Sequence, residues 1–372
     1  MREVYYHMLE NKGKISLRQT LLLYLTLIFS PSIRFVSTYT AHIAKQASYL
    51  MPIIALFSLY IMFLLLDKTI KKYNDKPMTT IITLIIGKTA GKILLTVYAL
   101  WILIMTALFT RYYAERLVTS IFSDTNISIF IAIMLIIVLI TLKSGLTILA
   151  RMNEIINPII GIVFFLLVIF LLPQVKLKNL MPISYIDILP VLKSSPGTIS
   201  LWGYIFFIFL ISDEISHKEN LMKQSLYASL YLAFYTIVLL IVVIGSLGSS
   251  VTEKSPLPFM SAVKLISVFD ILEKIESFAV IVWVLSDFVL IATLSYITLR
   301  LIGTIFNLKD EKPLLNIFIL VLYLLALLIT VRKFDLERFS YTVANIGDIA
   351  LTLIIPPIIL LIGLMKKKKK AA

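Results

Sequence analysis

The feature that most constrains this chain is a series of ten apolar segments, most of them long enough to cross a bilayer. A helix needs about 20 apolar residues to span the hydrocarbon core. Hydrophobic residues make up 59% of the 372 positions, against roughly 45–50% in soluble domains. We therefore predict an all-α polytopic membrane protein with ten transmembrane helices. The predicted segments are Ile15–Thr40, Ala47–Leu66, Ile93–Phe122, Ile127–Leu142, Ile155–Leu172, Thr198–Ile211, Leu226–Leu247, Phe278–Ile302, Leu314–Val331 and Tyr341–Met365.

Basic residues are concentrated in alternate loops between these segments. Positively charged loops of membrane proteins lie in the cytoplasm, so topology explains the net charge of +14 without nucleic-acid binding. With ten spans, the pattern predicts that both termini are cytoplasmic and that Lys366–Lys370 contacts anionic membrane lipid. The basic residues of the predicted cytoplasmic loops include Lys68, Lys71, Lys72, Lys76, Lys88, Lys92, Lys143, Arg151, Lys218, Lys223, Arg300, Lys309 and Lys312.

Several function classes find no support in the composition. Cysteine is absent, and the histidines His7, His42 and His217 lack the spacing of metal ligands. No nucleophile–base pattern is present. We therefore expect no disulfide, no metal site, no cofactor and no enzymatic activity.

The first apolar segment is interrupted by Ser30-Pro31-Ser32, with Arg34 shortly after. Proline removes a backbone donor and clashes with the preceding turn, so the helix must kink or unwind there. An interrupted helix inside a bilayer is typical of a transporter-type binding site. A competing interpretation is that Leu21–Phe29 is the apolar core of a cleaved signal peptide. The stretch that precedes Leu21 is long for a signal peptide and contains acidic residues, so we favour a retained helix.

The sixth segment also stops short of a full span, because Ser212, Asp213 and Glu214 follow its apolar run. Either the helix simply leaves the membrane, or the chain unwinds between Phe209 and Asp213 within it. Ten segments divide into five and five, which predicts an inverted repeat with interrupted helices one and six around a central site. The predicted repeats cover about 15–172 and 198–365, followed by the tail 366–372. The candidate ligand-binding residues are Ser30, Pro31, Ser32, Phe209, Ser212 and Asp213.

Charged residues within the apolar segments are costly and usually face the bundle interior. Asp287 and Asp348 are candidates for gating or ion coupling, with structural hydrogen bonding as the alternative. Arg111 and Glu115 lie four residues apart and either pair on one helix face or form a gate. Glu154 is a further candidate, although a carboxylate in a first helical turn also stabilises the helix dipole.

Five short motifs follow one another along the chain. They are Lys14-Ile-Ser-Leu-Arg-Gln19, Ala44-Lys-Gln-Ala47, Arg151-Met-Asn-Glu154 with Pro158, Phe206 to Glu214, and Leu272-Glu-Lys-Ile-Glu-Ser277 with Trp283 and Phe288. In this order they resemble the spore germination receptor B-subunit family (GerAB-like permeases) of the amino acid–polyamine–organocation superfamily. The resemblance covers nearly the whole chain, and it implies a LeuT-like bundle. The chain departs from the family at both interruptions, where Ser30-Pro31 and Ile211 or Ser212 stand in place of glycine.

This resemblance implies a germinant-receptor subunit in the inner membrane of a spore. It would sense a small nutrient such as an amino acid, together with an A-type membrane subunit and a C-type lipoprotein. Residue chemistry alone leaves two alternatives open. One is a proton- or sodium-coupled amino acid transporter that acts alone, and the other is a membrane scaffold that binds no ligand.

Overall fold

A computed structural model of the chain describes residues 13–120, 122, 124–266, 275–329 and 333–366, which are almost entirely helical. In these residues, seven helical stretches are long and apolar enough to cross a membrane. The predicted total of ten stays a prediction. The first ten helices are α1 (Leu17–Pro31), α2 (Ser37–Ala44), α3 (Met51–Lys72), α4 (Met78–Ile86), α5 (Lys88–Ser120), α6 (Ile127–Ser144), α7 (Leu146–Leu171), α8 (Ile188–Trp202), α9 (Ile205–Phe209) and α10 (Leu221–Leu247). The later helices are α11 (Ser249–Thr252), α12 (Pro258–Val263), α13 (Ile275–Phe306), α14 (Leu315–Leu328), α15 (Lys333–Phe339), α16 (Asn345–Asp348) and α17 (Ile355–Met365).

The first stretch, residues 17–72, reverses direction. Lys45 adopts a positive φ of 50° at the end of α2, which stops the helix. The chain then folds back, and the Tyr24 and Phe63 rings meet edge to face with centroids 6.5 Å apart. This stretch therefore forms two antiparallel helical arms.

Two short strands mark one end of the bundle, which we call the β end. Strand β1 (Ile15–Ser16) pairs in parallel with β2 (Ile215–Ser216). The Ser16 hydroxyl accepts the Gln19 N–H at 3.2 Å, and the Gln19 side chain accepts the Ser16 N–H at 2.9 Å. This capping box satisfies free donors at the start of α1. The N-terminal end of α1 is thus fixed beside the chain that follows α9.

The first helix stays helical through its interruption. After Pro31 the chain forms a π-helical turn, Ser32–Val36, and then resumes as α2. Proline cannot donate to the carbonyl four residues earlier, and a wide turn is one way to relieve the clash. The predicted disturbance at Ser30–Ser32 therefore takes the form of a π-bulge without loss of helix.

The sixth segment is divided differently from the prediction. Helix α8 begins at Ile188, ten residues before the predicted start, and ends at Trp202. Gly203 and Tyr204 separate it from the short helix α9. The carbonyls released at this break are satisfied by side chains, since Tyr24 donates to Trp202 O at 2.7 Å and Thr352 donates to Ser200 O at 2.6 Å. Such compensation is what a break inside a membrane requires.

Helix α13 lies at the centre of the bundle. Its apolar window is 72% buried, compared with 33% for the window in the stretch 146–174. It packs along α5, α7 and α1. Polar side chains on α13 therefore face other helices.

Candidate functional site

The interruption of α1 is held by a serine from α13. The Ser286 hydroxyl accepts the Ser30 N–H at 3.1 Å and donates to the Thr26 carbonyl at 2.8 Å. Thr26 and Ser30 are four residues apart, so these are the two backbone groups that would bond to each other in a regular α-helix. A side chain inserted in this way is a recognised cause of helix distortion. Ser286 thus joins α13 to the turn of α1 just before Pro31.

Replacing Ser286 by alanine should lower the free energy of unfolding by about 1–3 kcal/mol, because buried backbone groups of α1 lose a partner. Ser295→Ala is the matched control on the same helix. Ser295 is fully buried, and its hydroxyl has no hydrogen-bond partner among the described residues. Thermal unfolding of the purified protein measures both. Equal losses for the two variants would contradict a specific role for Ser286.

A buried ion pair lies beside this serine. Arg116 of α5 contacts the Asp287 carboxylate through Nη2 and donates to the Ser30 hydroxyl through Nη1 at 2.7 Å. The Arg116 guanidinium also lies 5.5 Å from the centre of the Trp283 ring. Arg116 and Asp287 are 7% and 2% exposed, so one guanidinium connects α5, α1 and α13 away from water.

A second arginine lies in the π-helical turn. Arg34 Nη1 is 3.2 Å from the Glu337 carboxylate of α15, and Nη2 donates to the Ser340 hydroxyl at 3.1 Å. The guanidinium stacks 3.6 Å from the centre of the Tyr112 ring. These contacts link the interrupted helix to α5 and to the helix near the C-terminus.

Asp348, at the end of α16, is held by two neutral donors. Trp101 Nε1 donates to one carboxylate oxygen at 2.9 Å, and the Tyr204 hydroxyl donates to the other at 2.8 Å. Tyr204 belongs to the break between α8 and α9. Asp348 is therefore hydrogen-bonded directly to a residue of that break.

A cavity joins these features. It has a volume of about 30 Å³, which is space for about two or three waters, since one water needs at least about 10–15 Å³. The helix interruption, the last turns of α8 and the charged residues Arg34 and Asp348 contribute to its wall. The lining residues include Pro31, Arg34, Phe35, Phe109, Gly197, Ser200, Leu201, Ser340, Asn345 and Asp348.

The structure does not bring the two predicted groups of ligand-binding residues together. Ser30, Pro31 and Ser32 lie beside the cavity, whereas Ser212 and Asp213 lie at the β end. Ile15, the partner of Ile215, precedes Ser30 by 15 residues, a helical rise of about 20 Å. Phe209 is fully buried in α9 and does not line the cavity. The break in the sixth segment is instead at Gly203, two residues after Leu201, which lines the cavity together with Pro31.

Ser212 and Asp213 take part in contacts at the β end. The Ser212 hydroxyl accepts the Met78 N–H at 2.8 Å. Arg300 of α13 lies 3.3 Å from Asp213, 2.5 Å from Glu214 and 2.8 Å from Glu311. Burial raises the pKa of the Glu214 carboxyl, while the Tyr296 hydrogen bond and the Arg300 charge oppose that rise. This cluster ties α13 to the turn that follows α9 and to the loop that follows α13 itself.

The remaining predicted residues lie outside the cavity. Arg111 and Glu115 are 3.9 Å apart on one face of α5, as the spacing suggested. Glu154 accepts a hydrogen bond from Gln19 at 3.2 Å, which places it at the β end between α7 and α1. Of the predicted gating or coupling residues, Asp348 lines the cavity and Asp287 lies beside Ser30.

Sequence reasoning missed three contributors: Arg34 and Arg116 as site residues, and Gly203 as the break. A buried Asp287 requires a cationic partner, and Arg116 is one of few arginines within apolar segments, so that signal was available. Gly203 was overlooked because the segment was taken to begin too late. A Cβ at Gly203 would lie 2.7 Å from Thr352, so glycine permits this close approach. The motif residues Leu272–Lys274 and the lysines Lys367–Lys370 lie outside the described residues.

A solved structure shares this fold over nearly its whole length. The crystal structure of MhsT in complex with L-phenylalanine superimposes with a TM-score of 0.69 at 12% identity, covering 94% of this chain and 98% of that one. Together with the interrupted helices, this likeness defines a membrane protein of the LeuT-like class.

Family comparison makes the assignment more specific. A model of the spore germination protein family matches residues 14–334, and the chain belongs to that family. Spore germination protein KB of Bacillus subtilis is 21% identical over 73% of this chain and 74% of its own length. Spore germination protein YndE of the same organism is 24% identical over 65% and 67%, and the putative spore germination protein YfkT is 22% identical over 80% and 82%. The resemblance stated from the sequence is confirmed, and the chain is a germination-receptor subunit with a transporter-like fold.

Proposed function

We propose that this subunit senses a small zwitterionic nutrient, such as an amino acid, in the cavity beside Pro31. The observation that carries this proposal is the pairing of opposite charges in one cavity wall. Arg34 suits a carboxylate, and Asp348 suits an ammonium group. An α-amino acid carries both groups on one carbon and matches such a wall.

The partners of Asp348 strengthen the proposal. Both of its hydrogen-bond donors in the described structure, Trp101 and Tyr204, are neutral. A carboxylate in a membrane interior is stabilised by a cation, and a ligand ammonium group is such a cation. Arg34 differs, because it already has Glu337 as a counter-ion. Ligand binding at Arg34 therefore requires the carboxylate to share or displace that contact.

The cavity volume supports a closed conformation. A space for about two or three waters cannot hold an amino acid, so binding requires the wall to move. The movable part is the break at Gly203–Tyr204, because Tyr204 is bonded to Asp348 and its backbone lies outside both helices. Ligand contact with Asp348 would release Tyr204 and shift α8 relative to α9. Partner subunits would respond to such a movement of α8 relative to α9.

The family relationship favours a receptor over a transporter that acts alone. The test is nutrient-triggered germination of spores that lack this gene, compared with purified protein in liposomes. Spores should lose the response to at least one nutrient, and expression of the intact chain should restore it. Gradient-driven amino acid uptake by the isolated protein, with germination unchanged, would favour the lone transporter.

The membrane and the partners are part of the proposal. We place the protein in the spore inner membrane with both termini in the cytoplasm, in one domain whose repeats cover about 15–172 and 198–365. An A-type membrane subunit and a C-type lipoprotein would complete the complex. Affinity purification of the tagged chain from spores should recover both. Recovery of the chain without either subunit would contradict this assembly.

A further inference from the structure

Arg116 joins three helices at a point buried from water. Its guanidinium contacts Asp287 of α13, donates to Ser30 of α1 at 2.7 Å, and faces the Trp283 ring. Ser30 immediately precedes Pro31, so the contact is made at the interruption of α1. The interruption and a buried carboxylate thus share one positive charge.

The charges around Asp287 are already balanced. A carboxylate inside a membrane bundle needs a positive partner, which is either a free cation or a basic side chain. Arg116 supplies that charge from within the chain. Arg34, one turn beyond Ser30, is held by Glu337, and Tyr113 of α5 contributes a neutral phenol nearby. A free cation added beside Asp287 would leave an excess positive charge in a buried region.

Space leads to the same conclusion. The cavity beside the pair measures about 10 Å³ and is lined by residues that include Tyr113, Leu117, Trp283 and Val284. A single water needs at least about 10–15 Å³. A hydrated cation therefore does not fit while Arg116 occupies its present position. Truncating Arg116 would open space between the Asp287 carboxylate and the Ser30 hydroxyl, both of which are oxygen ligands.

We propose that Arg116 is a tethered cation, which occupies at Asp287 the place of a free monovalent ion. The native chain then takes no sodium at this position, and the helices α1, α5 and α13 are held together by a fixed charge. If the proposed receptor function is correct, nutrient sensing needs no cation at this site. Whether a free cation binds beside Asp287 does not depend on the nutrient, and it is tested without any nutrient present.

The test is thermal unfolding of the purified full-length chain in equimolar sodium, potassium or choline chloride. The unfolding midpoint of the native chain should be the same in all three salts. Arg116→Ala should unfold at a lower temperature in choline chloride, and sodium or methylguanidinium should raise that midpoint saturably. Arg116→Gln is the second variant if the alanine variant does not fold. The matched control is Arg111→Ala on the same helix, which should show no dependence on the cation.

Two further comparisons test whether the cation binds at Asp287. Adding Asp287→Asn to Arg116→Ala should remove the sodium effect, because the carboxylate ligand is gone. Saturable stabilisation of the native chain by sodium would overturn the proposal. So would the absence of any cation dependence in both Arg116 variants. None of these readouts uses a nutrient, so they are independent of whether the chain senses one.

Discussion

Spores that carry Asp348→Asn should need about 10- to 100-fold more nutrient for half-maximal germination than spores with the native chain. Asparagine keeps the size of the side chain and removes its charge. A hydrogen bond to a charged group contributes about 1.5–3 kcal/mol, and each 1.4 kcal/mol corresponds to a tenfold change in affinity. The measurement is the germination rate against nutrient concentration, at equal protein level.

Two control variants separate charge from local structure. Asp335→Asn removes an exposed carboxylate from α15 and should leave the response unchanged. Tyr204→Phe removes one donor to Asp348 and leaves the carboxylate in place, so it should shift the response less than Asp348→Asn does. A shift as large as that of Asp348→Asn would show that the hydrogen bond, and not the charge, decides the response.

Arg34→Ala should abolish the nutrient response and lower the free energy of unfolding by about 2–3 kcal/mol. Removing one partner of a fully buried ion pair costs about 3–5 kcal/mol, and the Glu337 side chain is 24% exposed, which reduces that cost. Stacking on Tyr112 is lost as well. Thermal unfolding of the purified protein and germination assays on spores measure the two effects.

The double variant Arg34→Ala/Glu337→Ala distinguishes the two roles of Arg34. It removes both charges, so part of the lost stability should return because no carboxylate is left without a partner. The nutrient response should stay absent, since the group that would bind the ligand carboxylate is missing. A double variant that regains the response would contradict a role for Arg34 in binding.

The sequence was most informative where a single residue conflicts with its surroundings. A proline and an arginine inside an apolar segment predicted the disturbance of α1, and Asp287 and Asp348 stood out as charges within the membrane. Apolar length predicted the membrane class and helical architecture. Each of these signals depends on local composition, which one sequence is sufficient to reveal.

Other features depend on contacts between distant parts of the chain. Arg116 and Asp287 are 171 residues apart, and only the packing of α5 against α13 shows that they pair. The break at Gly203 was missed because α8 begins outside the predicted segment, so its midpoint was misplaced. As a result, Ser212 and Asp213 were grouped with Ser30, although the strand pair at the β end places them at another depth.

The most direct test of the central claim is ligand binding by the purified chain. Each of the common L-amino acids is added in turn, and the thermal unfolding midpoint is followed against concentration for the native chain and for Asp348→Asn. We expect at least one amino acid to stabilise the native chain saturably and Asp348→Asn to lose this effect. Saturable stabilisation of equal strength in both proteins would place the binding site elsewhere and contradict binding at Asp348.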